Sequence, residues 1–537
     1  MGLLKRLTER KKFAYGALKP SYWFLTAEER GNSYTELDSR HPDGLAWSTG
    51  NNVRALIHGA MYFQELLAAV QAMGAGDRLM FTDWRGDSDE RLAGAGTEIA
   101  AVFVAAIHRG VDVRGLLWRS HFDKLHFSAK ENRRLGEEIE AAGGQCLLDM
   151  RVRRLGSHHQ KLVILRHADH PERDIAFIGG IDLCHGRRDD RNHSGDPQSI
   201  EMAKVYGGRP PWHDIQLAIQ GPAVGDAETV FRERWNDPSS LTSNPIHGLG
   251  RILRREDPKA RPLLAQFPDP ASCGHHAVQI LRTYPKRRPA YPFAPDGEMS
   301  VARGYAKALK HARSLVYIED QYMWSGDVAR VFASALEREP ELRMIVIIPG
   351  FPDQDGKVSL PPYLLGREPA MSMLKKAGGS RVSFYSLENT SSVPIYVHAK
   401  ICVIDDTWCC IGSDNANRRS WTYDSELSAA VLDMHSTNGN TWARSVRHEL
   451  AREHLGENAT FADLSDPVQT FEIFHTSAQA LDLWHSGGGG GPRPPGHLRT
   501  YSQPAVKQWT KLWAMPIYRL LYDPDGRSIW KRLRHQF

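Results

Sequence analysis

Two short motifs of the same kind, one in each half of the chain, constrain the fold more than any other feature. The first is His159-Gln160-Lys161 and the second is His398-Ala399-Lys400, with the two histidines 239 residues apart. Each is followed by an apolar run, a turn and a second apolar run that ends in Gly-Gly or Gly-Ser. Such runs predict a β-hairpin, and residues two apart on a strand face the same side. The sequence therefore predicts two similar lobes, each presenting a histidine beside a lysine.

The pattern between the motifs predicts an α/β protein. Apolar residues at helical spacing predict a helix from Asn52 to about Gly74, and from there short apolar strands alternate with amphipathic helices in both halves. The predicted organisation is an N-terminal arm (1–40), a first lobe (41–240), a linker (241–275), a second lobe (276–480), a Gly/Pro linker (486–497) and an aromatic, basic C-terminal tail (498–537).

Composition excludes several classes of protein. The 537 residues carry a formal net charge of only +5, which does not predict the broad basic surface of a duplex-DNA binder. The sequence has no signal-peptide pattern and no apolar run of about 18 residues that predicts a spanning helix. Its six cysteines lack zinc-site spacing, and the other histidines and acids show no ligand pattern, so we expect neither metal nor cofactor. A cytoplasmic protein that touches membranes at most peripherally is the expectation.

The paired motifs resemble the mark of the phospholipase D superfamily, two His-x-Lys-x4-Asp motifs. Several other segments look like the catalytic core of eukaryote-type phospholipase D, namely Phe177–Asp189, Pro211–Ile215, Gly221–Val224, Phe231–Trp235 and Ile318–Tyr322. The resemblance covers most of residues 50–430. It implies two similar α-β-α sandwich lobes, related by a pseudo-two-fold duplication, with the active site at the lobe interface.

Two histidines and two lysines brought to one point suit a phosphodiester. Lys161 and Lys400 would balance the charge of the phosphate and of its transition state, while Ser413 and Asn415 can donate hydrogen bonds to the same oxygens. One imidazole can attack phosphorus and the other can protonate the leaving alcohol. These residue types alone do not rank the two histidines. The resemblance implies that His159 is the nucleophile, through a phosphohistidine, and that His398 is the general acid and base.

Carboxylates are expected to orient the two histidines. Family position points to Asp214 for His159 and to Glu426 for His398, with Asp424 as the alternative to Glu426.

Asp405 completes the second motif and, by the resemblance, mainly supports the fold. Counting from His159, the first motif has Arg166 at the equivalent place. The residues that could replace the missing aspartate are Asp169, Glu172 and Asp174.

The resemblance favours a hydrolase that releases phosphatidic acid and a headgroup from glycerophospholipids, or transfers the phosphatidyl group to an alcohol. A cardiolipin synthase-type phosphatidyltransferase and a phosphodiesterase acting on nucleic acid are the alternative enzymes, and a phosphate-binding protein without activity is the alternative from another class. The expected partners are a glycerophospholipid at a membrane surface and a water or alcohol acceptor. No nucleic acid and a monomeric state are expected.

Overall fold

A computed structural model describes residues 19–41, 43–121, 129–242, 259–356, 360–435, 441–456, 460, 463–504 and 506–537. Its strands are β1 (Ser48–Ile57), β2 (Arg78–Asp83), β3 (Asp112–Trp118), β4 (Gln145–Asp149), β5 (Leu162–Arg166), β6 (Ile175–Gly179), β7 (Trp212–His213), β8 (Ile215–Gln220), β9 (His276–Tyr284), β10 (Glu298–Met299), β11 (Leu315–Glu319), β12 (Arg343–Ile347), β13 (Val382–Glu388), β14 (Pro394–Val397), β15 (Ile401–Ile404), β16 (Trp408–Gly412), β17 (Glu426–Asp433) and β18 (Leu498–Thr500). Its α-helices are α1 (Pro20–Trp23), α2 (Ala27–Arg30), α3 (Gly59–Gln71), α4 (Ile99–His108), α5 (Ala129–Ala141), α6 (Ala223–Trp235), α7 (Ser300–His311), α8 (Gly326–Arg338), α9 (Leu360–Gly378), α10 (Arg418–Thr422), α11 (Trp442–Leu455), α12 (Pro467–Ser486), α13 (Gln508–Ile517) and α14 (Ile529–Leu533).

The strands form two mixed sheets with the same order. In the first sheet the order is β1-β8-β6-β5-β2-β3-β4, and only the β2–β3 and β3–β4 pairs are parallel. In the second sheet β9-β17-β16-β15-β11-β12-β13 repeats that order, and again only the two pairs at the same end are parallel. The repeat confirms the predicted duplication, since each β-hairpin after a His-x-Lys motif occupies the same place in its sheet.

Helices cover the sheets in layers. Helices α3, α4 and α5 bury their apolar faces against one side of the first sheet, and α7, α8 and α9 do the same on the second sheet. Between the sheets, side chains of both pack with α6, α11 and α12 in a single shared core. The predicted pair of α-β-α sandwich lobes is therefore present, with the central helical layer common to both.

Direct strand contacts also join the two halves. β1 pairs with β8 over Asn52–Ile57 and with β9 at Ser48 and Asn51, so it belongs to both sheets. The short strands β7 and β14 pair in parallel. These contacts bring the ends of the two His-x-Lys hairpins to one boundary.

The predicted helix from Asn52 is wrong over its first part. Residues 52–57 are strand, and the helix begins at Gly59. Val53, Leu56 and Ile57 satisfy helical spacing, but pairing of this stretch with β8 satisfies more backbone groups than an isolated first helical turn.

The structure describes only part of the predicted N-terminal arm and of the predicted linker between the lobes. Residues 1–18 of the arm and 243–258 of the linker lie outside the described residues. The tail begins as strand β18, which pairs with β13. No helix in the described ranges combines the length and apolar character that crossing a bilayer requires.

Candidate active site

Each His-x-Lys segment lies between strands and is held by the backbone of the other half. The amides of His398 and Ala399 donate to the carbonyl oxygen of His213 at 2.8 and 3.1 Å. The amide of His159 donates to the carbonyl oxygen of Ser425 at 2.9 Å. The two motifs therefore meet at the lobe interface because each is fixed to the opposite lobe.

The carboxylates that orient the histidines are exchanged relative to the sequence prediction. His159 Nδ1 lies 2.9 Å from Glu426 Oε2, and His398 Nδ1 lies 2.7 Å from Asp214 Oδ2. The predicted pairing within each lobe is wrong, because Glu426 at the start of β17 and Asp214 between β7 and β8 each contact the histidine of the other half. The alternative Asp424 instead accepts hydrogen bonds from the amide and hydroxyl of Ser157.

Because Nδ1 of each imidazole contacts a carboxylate, Nε2 is the atom of each ring that can react with a substrate. Burial opposes the ionisation of Asp214, but the neighbouring His398 holds its pKa below the usual range, so it is a carboxylate at neutral pH. A carboxylate on Nδ1 fixes the tautomer that carries the proton there and the lone pair on Nε2. Burial and the charge of Lys400 lower the pKa of His398 to about 3, so this imidazole is neutral in the empty site.

Both lysines lie buried beside their histidines. Lys161 Nζ is 3.1 Å from Asp182 Oδ1, and Lys400 Nζ donates to Gln321 Oε1 at 3.2 Å. Burial lowers the pKa of Lys400 to about 8, and the charge of Lys161 contributes to this shift. The two ammonium groups are therefore close enough to interact, and an anionic phosphate beside them would be stabilised.

Ser413 and Asn415 lie next to the second motif with different contacts. The Ser413 hydroxyl donates to Glu426 Oε2 at 2.5 Å, so it supports the carboxylate that holds His159. Asn415 is buried, and its Oδ1 has no hydrogen-bond partner among the described residues. Their predicted contact with phosphate remains a prediction.

Close packing explains the small residues that end the two hairpins. A Cβ atom at Gly180 would lie 2.2 Å from Asp214 Oδ1, and one at Gly412 would lie 1.9 Å from Ser428 Oγ. Any larger side chain at Gly180 would displace the carboxylate that orients His398.

Asp405 is not brought to the site. It follows β15, about 16 Å of extended chain beyond Lys400. There it accepts hydrogen bonds from the amides of Arg313, Ser314 and Leu315 at 2.7 to 2.9 Å. Burial raises its pKa to about 6. Its contacts fix the start of β11 and do not reach phosphate.

The first motif replaces that aspartate with a buried ion-pair network. Arg166 Nε donates to Asp174 Oδ2 at 2.8 Å, and Arg166 Nη1 donates to Glu228 Oε2 at 2.6 Å. Asp169 and Glu172 are exposed. Of the three candidates, Asp174 alone is buried, and it binds the Arg166 side chain together with the His167 amide.

Several side chains at the site were not predicted as site residues. Asp182 and Gln321 contact the two lysines, and the Trp212 ring packs against His398 at a tilt of 36°, with ring centroids 4.9 Å apart. The guanidinium of Arg187 lies over the Trp212 ring at 3.9 Å, and its Nε has no hydrogen-bond partner in the part of the chain that the structure describes. All four fall in segments that carried the family resemblance. The resemblance therefore pointed to these segments, but it did not assign a role to any of the four residues.

Groups of histidines and acids that could hold a metal ion occur among the described residues, and none of these groups includes His159, His398 or their carboxylates.

Comparison with known families and proteins agrees with this geometry. A family described as phospholipase D matches residues 132–329, and one described as cardiolipin synthase, PLD-like domain, matches residues 305–439. Phospholipase D1 of Saccharomyces cerevisiae is 27% identical over 405 residues, which cover 59% of this chain and 23% of that protein. Phospholipase D alpha 1 of Brassica oleracea var. capitata is 24% identical over 522 residues, covering 74% and 64%. The match thus spans less than two thirds of either relative.

Among solved structures, phosphatidylserine synthase of Haemophilus influenzae Rd KW20 has a similar fold, with a TM-score of 0.50 at 13% identity over 81% of this chain and 93% of that one. Matches to two related families, one on each His-x-Lys motif, agree with the duplicated sheets and the shared histidine site. The chain belongs to the phospholipase D superfamily.

Proposed function

We propose that this protein hydrolyses glycerophospholipids to phosphatidic acid and a free headgroup, or transfers the phosphatidyl group to an alcohol. The observation that carries the proposal is the pair of crossed contacts, His159 with Glu426 and His398 with Asp214. Each contact occupies Nδ1 and leaves Nε2 of the imidazole for a substrate phosphate beside Lys161 and Lys400. A phosphodiester is the substrate class whose single negative charge and two ester oxygens match this arrangement.

In the first step, His159 Nε2 attacks phosphorus and the bond from phosphorus to the headgroup oxygen breaks. His398 donates a proton from Nε2 to the departing alkoxide. The bound phosphate offsets the lysine charge that keeps His398 neutral in the empty site, so His398 takes up its proton as the substrate binds. The product is a phosphatidyl group attached to His159.

In the second step, neutral His398 accepts a proton from water or from an alcohol. The activated oxygen attacks phosphorus, and the bond to His159 Nε2 breaks. Water gives phosphatidic acid and an alcohol gives a new phosphatidyl ester. Lys161 and Lys400 stabilise the charge on the equatorial oxygens in both steps.

The substrate is a lipid, so the protein is proposed to work at a membrane surface as a peripheral enzyme. The C-terminal tail supports this proposal. Its exposed apolar side chains are Trp509, Leu512, Trp513, Leu520, Leu521, Ile529, Trp530 and Leu533, and Lys507, Arg519, Arg532 and Arg534 are exposed among them. Aromatic and basic side chains together are typical of segments that enter the headgroup layer.

A headgroup-release assay on phosphatidylcholine vesicles tests the reaction. His159→Ala and His398→Ala should each lower the rate by at least roughly 100-fold, because the first removes the nucleophile and the second removes the general acid and base. Adding a primary alcohol should give the corresponding phosphatidyl ester with the wild-type chain. A near-normal rate in either variant would refute the shared site.

A substrate with an activated headgroup tests which histidine attacks. A nitrophenyl headgroup leaves without a proton, so His398→Ala should release it in a burst and retain phosphate on the protein, whereas His159→Ala should release none. The reverse pattern would assign the nucleophile to His398.

A phosphatidyltransferase that joins two lipids is the second candidate. It is favoured by the match of residues 305–439 to the cardiolipin synthase, PLD-like domain. Incubation with phosphatidylglycerol alone separates the candidates, because a synthase gives a diphosphatidyl product and free glycerol while a hydrolase gives phosphatidic acid.

A further inference from the structure

A buried cluster of four side chains lies directly behind the pair of His398 and Asp214. The donor atoms of His58, His193, His213 and Glu453 all lie within 4.8 Å of one another. His58 follows β1, His193 lies in a loop, His213 ends β7 and Glu453 is on α11. The three histidine side chains are 0 to 1% exposed and that of Glu453 is 7% exposed.

The three imidazoles converge on one carboxylate. His58 Nε2 is 3.0 Å from Glu453 Oε2, His193 Nε2 is 3.1 Å from Oε1, and His213 Nδ1 is 3.4 Å from Oε1. Ligands about 2.0 to 2.2 Å from a tetrahedral zinc ion are separated from one another by about 3.3 to 3.5 Å. The separations to Glu453 therefore lie close to the edges of such a tetrahedron.

The opposite nitrogen of each ring faces a group that accepts hydrogen bonds. His58 Nδ1 is 3.1 Å from the carbonyl oxygen of Asp214, and His193 Nδ1 is 3.2 Å from that of Trp212. His213 Nε2 is 2.5 Å from Glu319 Oε2. The amide nitrogen of Asp214 is also near His58 Nδ1, but at 3.4 Å its contact is the longer one.

This arrangement decides where the protons are. A carbonyl or carboxylate oxygen can only accept, so each outer nitrogen carries a proton, and a neutral imidazole has no second proton. Three unprotonated nitrogens would then face a carboxylate, which repels them. Extra protons on the rings, or one cation between the rings and Glu453, would offset this repulsion.

A cation resolves the charge balance better than three protons. Three imidazolium rings would lie with centroids only 4.8 to 5.7 Å apart in a buried site, where like charges are costly. One divalent ion with neutral imidazoles instead balances the charges of Glu453 and Glu319. Histidines that bind metal ions in proteins usually donate the outer N–H to a carbonyl or carboxylate oxygen in this way, which fixes the orientation of the ring.

We propose that His58, His193, His213 and Glu453 bind one divalent metal ion, with zinc as the best match to three imidazoles and one carboxylate. Four protein ligands leave no open position for water, so the ion is structural and takes no part in phosphoryl transfer. It anchors the segment whose His213 carbonyl receives the His398 amide and whose Asp214 carboxylate holds the His398 ring.

The sequence offered no sign of this site. The four ligands come from four separated segments, and no two of them have the short spacing of a zinc motif. The inference does not depend on which phosphodiester the enzyme cleaves, because its test measures metal content.

Metal analysis of the full-length chain tests the proposal directly. Protein purified without a polyhistidine tag and dialysed against EDTA should retain about one zinc ion per chain, since the ligands are buried. His193→Ala and Glu453→Gln should lower the zinc content by roughly tenfold or more. His275→Ala is the matched control, because His275, His276 and Asp433 form a more exposed histidine and acid group, and its zinc content should equal that of the wild type.

Cobalt reconstitution keeps the proposal falsifiable if a variant fails to fold. Wild-type protein unfolded in chelator and refolded with Co²⁺ should show the intense visible bands of a tetrahedral site, and His193→Cys should add a thiolate-to-cobalt charge-transfer band in the near ultraviolet. A wild-type chain that folds with less than about a tenth of an equivalent of divalent metal and shows no such bands overturns the proposal. Loss of zinc in His275→Ala but not in His193→Ala overturns it as well.

Discussion

At the scale of single residues, the site depends on two acids that act across the interface. Glu426 holds His159 and Asp214 holds His398, although each acid lies on the half of the chain opposite to its histidine. Family position identified the right acids and assigned them to the wrong histidines. The identity of a carboxylate can be read from a motif, but its partner is decided by which strands dock together.

The exchanged pairs can be tested with the activated-headgroup substrate in the His398→Ala background, where only His159 acts. Adding Asp214→Asn should then change the burst rate little, because the histidine it orients is already gone. Adding Glu426→Gln should lower the burst roughly 10²- to 10⁴-fold, since His159 loses its orienting carboxylate. If Asp214→Asn lowers the burst and Glu426→Gln does not, the contacts run within each half and the crossed arrangement is wrong.

Deprotonation of Lys400 should lower the activity at alkaline pH. Burial lowers its pKa to about 8, so the ammonium form that stabilises phosphate is lost as the pH rises through that value. A profile of kcat/KM against pH reports the free enzyme and should fall with unit slope above about pH 8. Lys400→Arg retains its charge and should lose that limb at a lower absolute rate. A wild-type profile that stays flat to about pH 10 would contradict the role of Lys400.

At the scale of elements, strand placement decides what the apolar pattern leaves ambiguous. The hairpins β5–β6 and β15–β16 were predicted from their alternation, and both are present. Residues 52–57 fitted helical spacing equally well and became strand, because β1 is the strand shared by the two sheets. A short apolar run can fit both the helical period and the strand period, so the element that it pairs with decides which structure forms.

The C-terminal tail has a few buried side chains that pack on the second lobe and many apolar side chains that are exposed. Ala514 and Tyr518 are buried with Trp324 and Tyr363, while most large apolar side chains of α13 and α14 face outward. Arg419 donates to the carbonyl oxygens of Leu521 and Leu155, so the tail lies beside the loop that leads to His159.

Removing two tail tryptophans tests a role in membrane contact. Trp509 and Trp530 are 78% and 73% exposed. The variant with both Trp509→Ala and Trp530→Ala should bind phospholipid vesicles roughly tenfold or more weakly in a flotation assay, because each ring contributes apolar area to the headgroup layer.

Two comparisons make the membrane prediction specific. Turnover of a short-chain monomeric phospholipid should remain near the wild-type rate in the double variant. Leu483→Ala, at a side chain that is 71% exposed on α12, should leave vesicle binding unchanged. Equal vesicle binding by the double variant and the wild type would refute the role of the tail.

At the scale of the whole molecule, the two halves form one functional unit. Arg234 of α6 donates to Asp149 in the first sheet and to Ser425, which precedes β17 of the second sheet, at 2.7 Å each. The core between the sheets takes side chains from both. Neither His159 nor His398 contacts its orienting carboxylate within its own half, so the site exists only when the sheets are docked.

The sequence by itself determined the duplication, the α/β class, and the identities of the two histidines and two lysines. Those features repeat locally, and a pattern of neighbouring residues is enough to reveal them. Only the tertiary structure decided the exchange of carboxylates, the amides from which Asp405 accepts hydrogen bonds, and the convergence of His58, His193, His213 and Glu453. The partners of His159 and His398 are 267 and 184 residues away. Contacts over such separations follow from how two sheets pack, which no local pattern encodes.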